Sequence, residues 1–131
     1  MTITKKIMIL SLSQLAKEEY CYLTTTGRVS GRPHEIEIWF GLQNRTLYLL
    51  SGGGDKADWV KNLRVNPTVT VRIANHTFTG QARFVSDEQE EMLARNMLAD
   101  KYKEREADGS LSEWARTALS VAIDLSREES F

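Results

Sequence analysis

The chain has 131 residues, of which 41% are hydrophobic and 27% are charged, and its formal net charge is -1 at pH 7. These values are typical of one globular domain with one core, and they exclude disordered, collagen-like and coiled-coil proteins. They also argue against nucleic acid as a partner, because a long polyanion binds to an excess of basic side chains.

Basic residues nevertheless concentrate in the middle of the chain. Residues 28–85 contain eight Lys and Arg against four Asp and Glu, whereas residues 86–131 contain six against twelve. We therefore expect an anionic ligand to bind to the middle segment.

The sequence argues against a disulfide, a metal site, a membrane-spanning helix and a signal peptide. The single cysteine, Cys21, excludes an internal disulfide, and its apolar surroundings indicate a buried, unreactive thiol. His34 and His76 lie in separate predicted turns without acidic partners, so no metal site is predicted. No stretch reaches the roughly 20 apolar residues of a membrane-spanning helix, and residues 7–12 are too short for a signal-peptide core. We expect a cytoplasmic protein with no membrane partner.

Hydrophobic periodicity divides the chain into helices and strands without a repeat or a linker. In chain order we predict a helix begun by the Ser11–Gln14 capping box, strands over 20–26, 34–42 and 46–50, a helix over 55–63, a hairpin of strands 68–73 and 77–85, a helix over 87–104 begun by a Ser86–Gln89 capping box, a short helix begun by Ser110 with Glu113, and a last strand over 118–125. Because successive strands are joined mainly by turns, we predict an antiparallel barrel with attached helices, not a Rossmann sheet.

The first candidate binding segment is 27–33, Gly-Arg-Val-Ser-Gly-Arg-Pro. Its glycines permit positive φ angles and expose backbone N–H groups, while Arg28, Ser30 and Arg32 add side-chain donors. A hairpin loop of this kind can hold a phosphate. The alternative is an ordinary β-turn with arginines for solubility, because Gly and Ser suit any hairpin.

The second candidate is 51–56, Ser-Gly-Gly-Gly-Asp-Lys, just before a predicted helix. Glycines let the main chain approach a ligand, and helix N-terminal N–H groups favour an anion. The segment lacks the Gly-Lys-Ser/Thr ending of a P-loop, and an idle strand-to-helix connection is the alternative. In the helix that follows, Trp59 and Leu63 form a face that packs on the barrel, which leaves Lys61 and Arg64 pointing elsewhere.

Trp39 is the third candidate, because it shares the polar face of its predicted strand with Glu35 and Glu37. A tryptophan in that position needs a cover, which a helix, a partner subunit or a planar cofactor would provide. We interpret Glu35 and Glu37 as part of a solvated strand face. With no Gly-x-Ser-x-Gly motif either, we predict no catalytic residue.

Taken in order, these segments resemble the deazaflavin-dependent nitroreductase family, which belongs to the split-barrel superfamily of pyridoxamine-phosphate-oxidase-like flavoproteins. The resemblance is carried by 23–33, Trp39-Phe40, 47–49, 51–54, 59–67 and 69–71, and 118–125 resembles the closing strand. It implies a mainly β (α+β) fold: a six-stranded antiparallel split β-barrel with flanking helices, forming one flavin- or deazaflavin-binding domain over residues 1–131.

The resemblance also implies an oxidoreductase that passes hydride from a reduced deazaflavin (coenzyme F-420, or F420) to a small organic acceptor such as a quinone or a nitro compound. The residues that the family pattern places at the cofactor are Arg28, Ser30 and Arg32 in the phosphate-side loop, Trp39 near the ring, Ser51, Gly52 and Gly53 at the ring edge, and Trp59, Asn62 and Arg64 on the helix that lines the cleft. Gly52 replaces a lysine common in the family, so Lys56 or Lys61 is expected to supply phosphate charge.

Two alternatives stay open. The same loops would suit an FMN-dependent oxidoreductase, and they would suit a non-catalytic protein that stores a flavin, a deazaflavin or a planar tetrapyrrole-like ligand, since holding and using a cofactor need the same contacts. A second copy of the chain would cover Trp39 and the glycine loop, so a homodimer is a further expectation.

Overall fold

The computed structural model describes residues 12–128, and Ser11, the predicted first cap, lies outside them. Residues 12–15 are helical. The elements that follow are β1 (Cys21–Thr26), β2 (Pro33–Ile38), β3 (Gly41–Gln43), β4 (Thr46–Ser51), a 3-10 turn (Gly54–Lys56), α1 (Asp58–Val65), β5 (Thr68–Ile73), β6 (His76–Phe84), α2 (Glu88–Tyr102), α3 (Glu113–Thr117) and β7 (Leu119–Glu128). No helix within this part of the chain has the length and hydrophobicity needed to cross a membrane.

The strands form one antiparallel sheet in the order β2-β1-β5-β6-β7-β4-β3. β2 and β3 lie at opposite edges of this sheet, yet only Trp39 and Phe40 separate them in the chain. The sheet must therefore curl until its two edges meet at these residues. The predicted mainly-β antiparallel barrel is confirmed.

Alternate strand positions point into the barrel and build its core. The strand residues buried there are Cys21, Leu23, Leu47, Leu49, Val69, Val71, Ile73, Phe78, Val121, Ile123 and Leu125, and Phe40 joins them from the segment between β2 and β3. The Cys21 thiol is free, and burial raises its pKa to about 12, which confirms the interpretation of an unreactive thiol.

α2 and α3 cover one outer face of the barrel. Tyr48 and Leu50 point away from the interior and pack with Ala94 and Leu98 of α2 and with Ala118, which lies between α3 and β7. β4 is thus buried on both faces, which explains why its sequence is a continuous apolar run and does not alternate.

The predicted strand over 34–42 is wrong in its continuity, because the chain leaves the sheet at Phe40. The Tyr102 hydroxyl accepts a hydrogen bond from the Phe40 N–H at 3.0 Å and lies within bonding distance of the Phe40 carbonyl oxygen, also at 3.0 Å. The Lys101 ammonium group donates to the same carbonyl at 3.0 Å. Side chains of α2 thus bind the backbone groups that a neighbouring strand would otherwise bind. The described part of the chain forms seven strands where six were expected.

Three helix starts also differ from the prediction. α2 is capped by Asp87, whose carboxylate accepts from the Glu90 N–H at 2.9 Å, and not by Ser86. α3 is capped by Ser112, and not by Ser110. The predicted helix 55–63 is a 3-10 turn followed by α1, because Ala57 is extended at ψ 139°. The first two errors arise where several capping residues lie close together in sequence.

Replacing Tyr102 by Phe tests how much the contact at Phe40 stabilises the barrel. The substitution keeps the ring but removes the hydroxyl, which leaves the Phe40 N–H unpaired. We expect the free energy of unfolding to fall by about 1–3 kcal/mol in urea denaturation. Tyr20→Phe, which removes a hydroxyl from a side chain that is 39% exposed, should change it little. Equal effects of the two substitutions would contradict this role of Tyr102.

Lys101 gives the fold a predicted pH dependence. Burial lowers the pKa of Lys101 from 10.5 to about 8. The folded protein therefore releases this proton at a lower pH than the unfolded chain, so the contribution of Lys101 to stability increases as pH rises between these two values. We expect the unfolding free energy of the native protein to rise relative to that of Lys101→Met over this range. A constant difference across a pH series of urea titrations would contradict the burial of the charge.

Candidate functional site

Two cavities lie side by side along β2 and share the side chain of Trp59. The first, of about 500 Å³, is lined by Thr25, Gly27, Arg28, Val29, Ser30, His34, Glu35, Ile36, Asp58, Trp59 and Asn62. The second, of about 590 Å³, is lined by Tyr20, Glu37, Ile38, Trp39, Leu50, Ser51, Gly52, Gly53, Ala57, Trp59, Glu104 and Trp114. Because successive residues of β2 line one cavity and then the other, we describe the two together as the β2 groove.

Asn62 fixes the first cavity by joining the β1–β2 hairpin to α1. Its side-chain oxygen accepts from the Arg28 N–H at 3.1 Å and from the Arg28 guanidinium at 2.9 Å, while its side-chain nitrogen donates to the Thr25 hydroxyl at 3.0 Å. Asn62 is buried, so each of these bonds replaces one that water would make in the unfolded chain. The hairpin and the helix are thereby held in one arrangement.

Arg28 also pairs with the Asp58 carboxylate at 3.2 Å. The Arg28 side chain is 31% exposed and that of Asp58 is 87% exposed. An ion pair so open to solvent contributes little to stability, so the guanidinium stays available to a stronger anion. Arg28 does not fit the alternative of an ordinary turn with arginines for solubility, because its backbone and side chain are both anchored.

The hairpin turn closes tightly around its first glycine. A Cβ atom on Gly27 would lie 2.6 Å from the Ser30 hydroxyl and 2.6 Å from His34 Nε2, so a larger residue would collide with both. The Ser30 hydroxyl accepts from the Arg32 N–H at 3.1 Å and lies 3.4 Å from His34 Nε2. A small polar wall therefore forms at the hairpin end of the groove.

The glycine loop, residues 51–54, lines the second cavity through Ser51, Gly52 and Gly53. Ser51 is buried and its hydroxyl donates to the Gly54 carbonyl at 2.9 Å, which bends the chain back after β4. Gly54 has a φ of 62°, in the region that favours glycine. A Cβ atom on Gly52 would lie 3.4 Å from the Trp114 ring, so the main chain runs directly against that indole.

Aromatic side chains form the walls of the second cavity. Trp39 stacks on Tyr102 with the ring centroids 4.2 Å apart and the planes at 4°, and it meets Trp114 edge-on at 5.6 Å. Of the three covers considered for Trp39, the structure shows a helix, because Tyr102 of α2 stacks on the indole. Burial raises the pKa of Tyr102 to about 12, so its phenol stays neutral. This packing fixes the orientation of Trp39 at the wall of the groove.

The structure brings most of the expected cofactor residues to the groove. Those that line it are Arg28, Ser30, Trp39, Ser51, Gly52, Gly53, Trp59 and Asn62. Arg32, Lys56, Lys61 and Arg64 line neither cavity, and the Arg64 guanidinium lies 4.1 Å from the centre of the Phe84 ring.

Sequence reasoning missed several groove residues. Asp58, Glu104 and Trp114 were not singled out, although all three line a cavity. Trp114 had a weak signal in the sequence, since a large aromatic residue in a short polar helix needs a packing partner. Glu104 had no such signal in the sequence, because its position depends on the conformation of the turn that follows α2.

Removing the Asn62 side chain tests whether it holds the hairpin to α1. In Asn62→Ala the Thr25 hydroxyl and the Arg28 N–H lose their partner, so we expect a loss of about 1–3 kcal/mol in unfolding free energy. We also expect faster hydrogen exchange at the Arg28 amide. Lys61→Ala, at an exposed neighbouring position of α1, serves as the control. Unchanged exchange at Arg28 in Asn62→Ala would show that the hairpin is held in another way.

Comparison with known proteins agrees with this geometry. A candidate pyridoxamine 5′-phosphate oxidase from Listeria innocua matches with a TM-score of 0.69 at 20% identity, covering 94% of each chain. A structure named F420-H2 dependent reductase gives a TM-score of 0.61 at 23% identity, covering 82% of this chain and 94% of that one. The heme storage protein HutZ from Vibrio cholerae gives 0.65 at 18%, covering 92% and 90%. These similarities concern the fold, and they confirm the split barrel.

Among curated proteins, none matches the chain in sequence. A family model does match, over residues 8–121, and its description is F420H(2)-dependent quinone reductase. The match covers most of the chain and confirms the resemblance drawn from the sequence segments. The chain belongs to the F420H(2)-dependent quinone reductase family.

Proposed function

We propose that the protein binds reduced F420 in the β2 groove and transfers hydride from it to a small planar acceptor such as a quinone. One observation carries the proposal: a cavity walled by aromatic rings adjoins a cavity lined by hydrogen-bond donors, and Trp59 lies between them. The family to which the chain belongs supports the choice of cofactor.

The second cavity suits the deazaflavin ring. Trp39, Trp59 and Trp114 supply flat apolar surface, and the Gly52–Gly53 main chain lies at its floor. Within the described residues, no hydrogen bond uses the N–H groups of Gly52 or Gly53. Both N–H groups are therefore available to oxygen and nitrogen atoms at the edge of a ring.

The first cavity suits the phosphate end of the cofactor. The Arg28 guanidinium and the Ser30 hydroxyl line it, and Arg32 follows in the same hairpin. A phosphate would compete with the exposed Asp58 carboxylate for Arg28, and it can accept two parallel charge-assisted bonds from the guanidinium. Asn62 already holds Arg28 in place, so little side-chain freedom is lost on binding.

The chemistry requires positioning more than acid–base catalysis. When bound, reduced F420 supplies the hydride itself. With the ring bound, the tryptophans would shield it from water, and the anchored hairpin would hold the phosphate end at a fixed distance from the ring end. Correct alignment of donor and acceptor accounts for much of the rate in such reactions, so we assign the groove residues to binding and orientation.

A non-catalytic binding protein is the competing function. The similarity to the fold of HutZ supports it, because that protein is named for heme storage. Holding a cofactor and using it need the same contacts in the groove. Turnover therefore has to be measured directly.

Titration of the purified protein with F420, FMN and heme distinguishes the candidate ligands. We expect F420 to bind most tightly, followed by absorbance or fluorescence, and we expect oxidation of reduced F420 when a quinone is added. Preferential binding of FMN or heme would overturn the assignment of the cofactor. Tight F420 binding without reduction of any of several quinones or nitro compounds would favour storage.

The role of Trp59 is tested by a matched pair on α1. Trp59→Ala removes the wall shared by both cavities, so we expect F420 affinity to fall about 10- to 100-fold. Lys61→Ala, which lies on the same helix and outside both cavities, should leave affinity unchanged. Circular dichroism establishes that both variants are folded, and Trp59→Phe should recover part of the loss. Equal F420 affinities of Trp59→Ala and the native protein would show that the ring binds outside this groove.

A further inference from the structure

The indole N–H of Trp114 is a hydrogen-bond donor that the protein itself does not use. Trp114 lines the second cavity, and no group within residues 12–128 accepts a hydrogen bond from its Nε1. In the same part of the chain, no buried side-chain nitrogen or oxygen lacks a partner. The unpaired Nε1 is therefore not buried, and it is accessible to a ligand.

This donor lies next to the main chain of Gly52. A Cβ atom on Gly52 would lie 3.4 Å from Cδ1 and 3.5 Å from Nε1 of Trp114, so the nitrogen-bearing edge of the indole is the part nearest to that glycine. The Gly52 N–H is likewise unused by the described part of the chain. One side-chain donor and one backbone donor thus lie close together at the wall of the second cavity, and we call them the Trp114–Gly52 donor pair.

The position of Trp114 is fixed by the helix that carries it. The Ser112 hydroxyl caps α3 by accepting from the Ala115 N–H at 3.1 Å, and the Arg95 guanidinium donates to the Ala115 carbonyl at 2.9 Å. The indole meets the ring of Trp39 at 5.6 Å between centroids, with the planes at 87°. Because the side chain is already held, little of its freedom is lost when a ligand binds to it.

A carbonyl oxygen is the group that suits two such donors. It has two lone pairs and accepts two hydrogen bonds, whereas an indole N–H and a backbone N–H only donate. A ring N–H pointed at the pair would find no acceptor there. The Glu104 carboxylate lines the same cavity, so an anionic oxygen is disfavoured relative to a neutral carbonyl.

We propose that Trp114 is a specificity-determining residue of the second cavity, whose Nε1–H acts with the Gly52 N–H to bind one carbonyl oxygen at the edge of a planar ring. The identity of that ring as the deazaflavin rests on the proposed function, whereas the preference for a carbonyl rests on the donor pair. A planar ligand without a carbonyl at its edge, such as a porphyrin, leaves both donors unpaired, which lowers its affinity.

Alloxazine and phenazine test the preference for a carbonyl. Both are flat three-ring molecules with a central pyrazine, and only alloxazine has carbonyl groups on an outer ring. Titration of the F420-free protein, followed by calorimetry, should show alloxazine binding about tenfold or more tightly than phenazine. Equal affinities, or no binding of alloxazine, would overturn the proposal.

Two substitutions at position 114 remove the donor and keep an aromatic wall. Trp114→Phe should weaken alloxazine binding about three- to tenfold more than phenazine binding. Trp114→benzothienylalanine, in which sulfur replaces the N–H in a ring of nearly the same shape, should do the same, and it serves if the smaller Phe disturbs the fold. Trp59→Phe changes another indole of this cavity and should weaken both probes equally. Equal losses for the two probes in both variants at position 114 would contradict a role of the N–H.

Binding of F420 separates this proposal from the proposed function. If F420 binds and quinones are reduced, but F420 affinity is the same in Trp114→benzothienylalanine as in the native protein, the reductase stands and the role of Trp114 is refuted. If F420 does not bind, yet alloxazine binds selectively and loses that preference without the N–H, the carbonyl site stands and the choice of deazaflavin is refuted. We expect F420 affinity to fall several-fold in this variant.

Discussion

The binding of the Phe40 backbone by Tyr102 and Lys101 is the interaction on which the rest of the structure depends. It lies at the point where the two edges of the curled sheet meet, and it replaces strand pairing with hydrogen bonds from α2. Because the chain leaves the sheet there, the β1–β2 half of the barrel separates from the β3–β4 half. The β2 groove begins at this separation, with Trp39 at its wall.

The contacts that hold the fold together also position the candidate site. The stack of Trp39 on Tyr102 attaches α2 to the barrel and presents an indole to the second cavity. The bonds of Asn62 attach α1 to the hairpin and set the Arg28 guanidinium at the first cavity. A substitution at Tyr102 or Asn62 therefore acts on stability and on ligand binding together, whereas Glu104 can be changed with less effect on the core.

Local patterns in the sequence predicted the strands and the order of the elements, because burial on one face enforces strict alternation, as in β1 and β5. They did not predict the break at Phe40, since the residues that cause it are about sixty positions further along the chain. The hairpin and glycine loops were recognisable from their composition. Glu104 and Trp114 reach the groove only through the turn after α2 and the packing of α3, and neither contact leaves a periodic signal in the sequence.

β2 is an edge strand of the sheet, and its outer edge borders the groove. Exposed strand edges are sites at which copies of a protein associate through backbone pairing and aggregate. Glu35 and Glu37 lie on this strand and are both exposed, and charged side chains on an edge oppose such pairing because like charges would face each other. The two glutamates that border the groove thus also oppose association through this edge, and a relative with neutral residues at both positions would lose that protection.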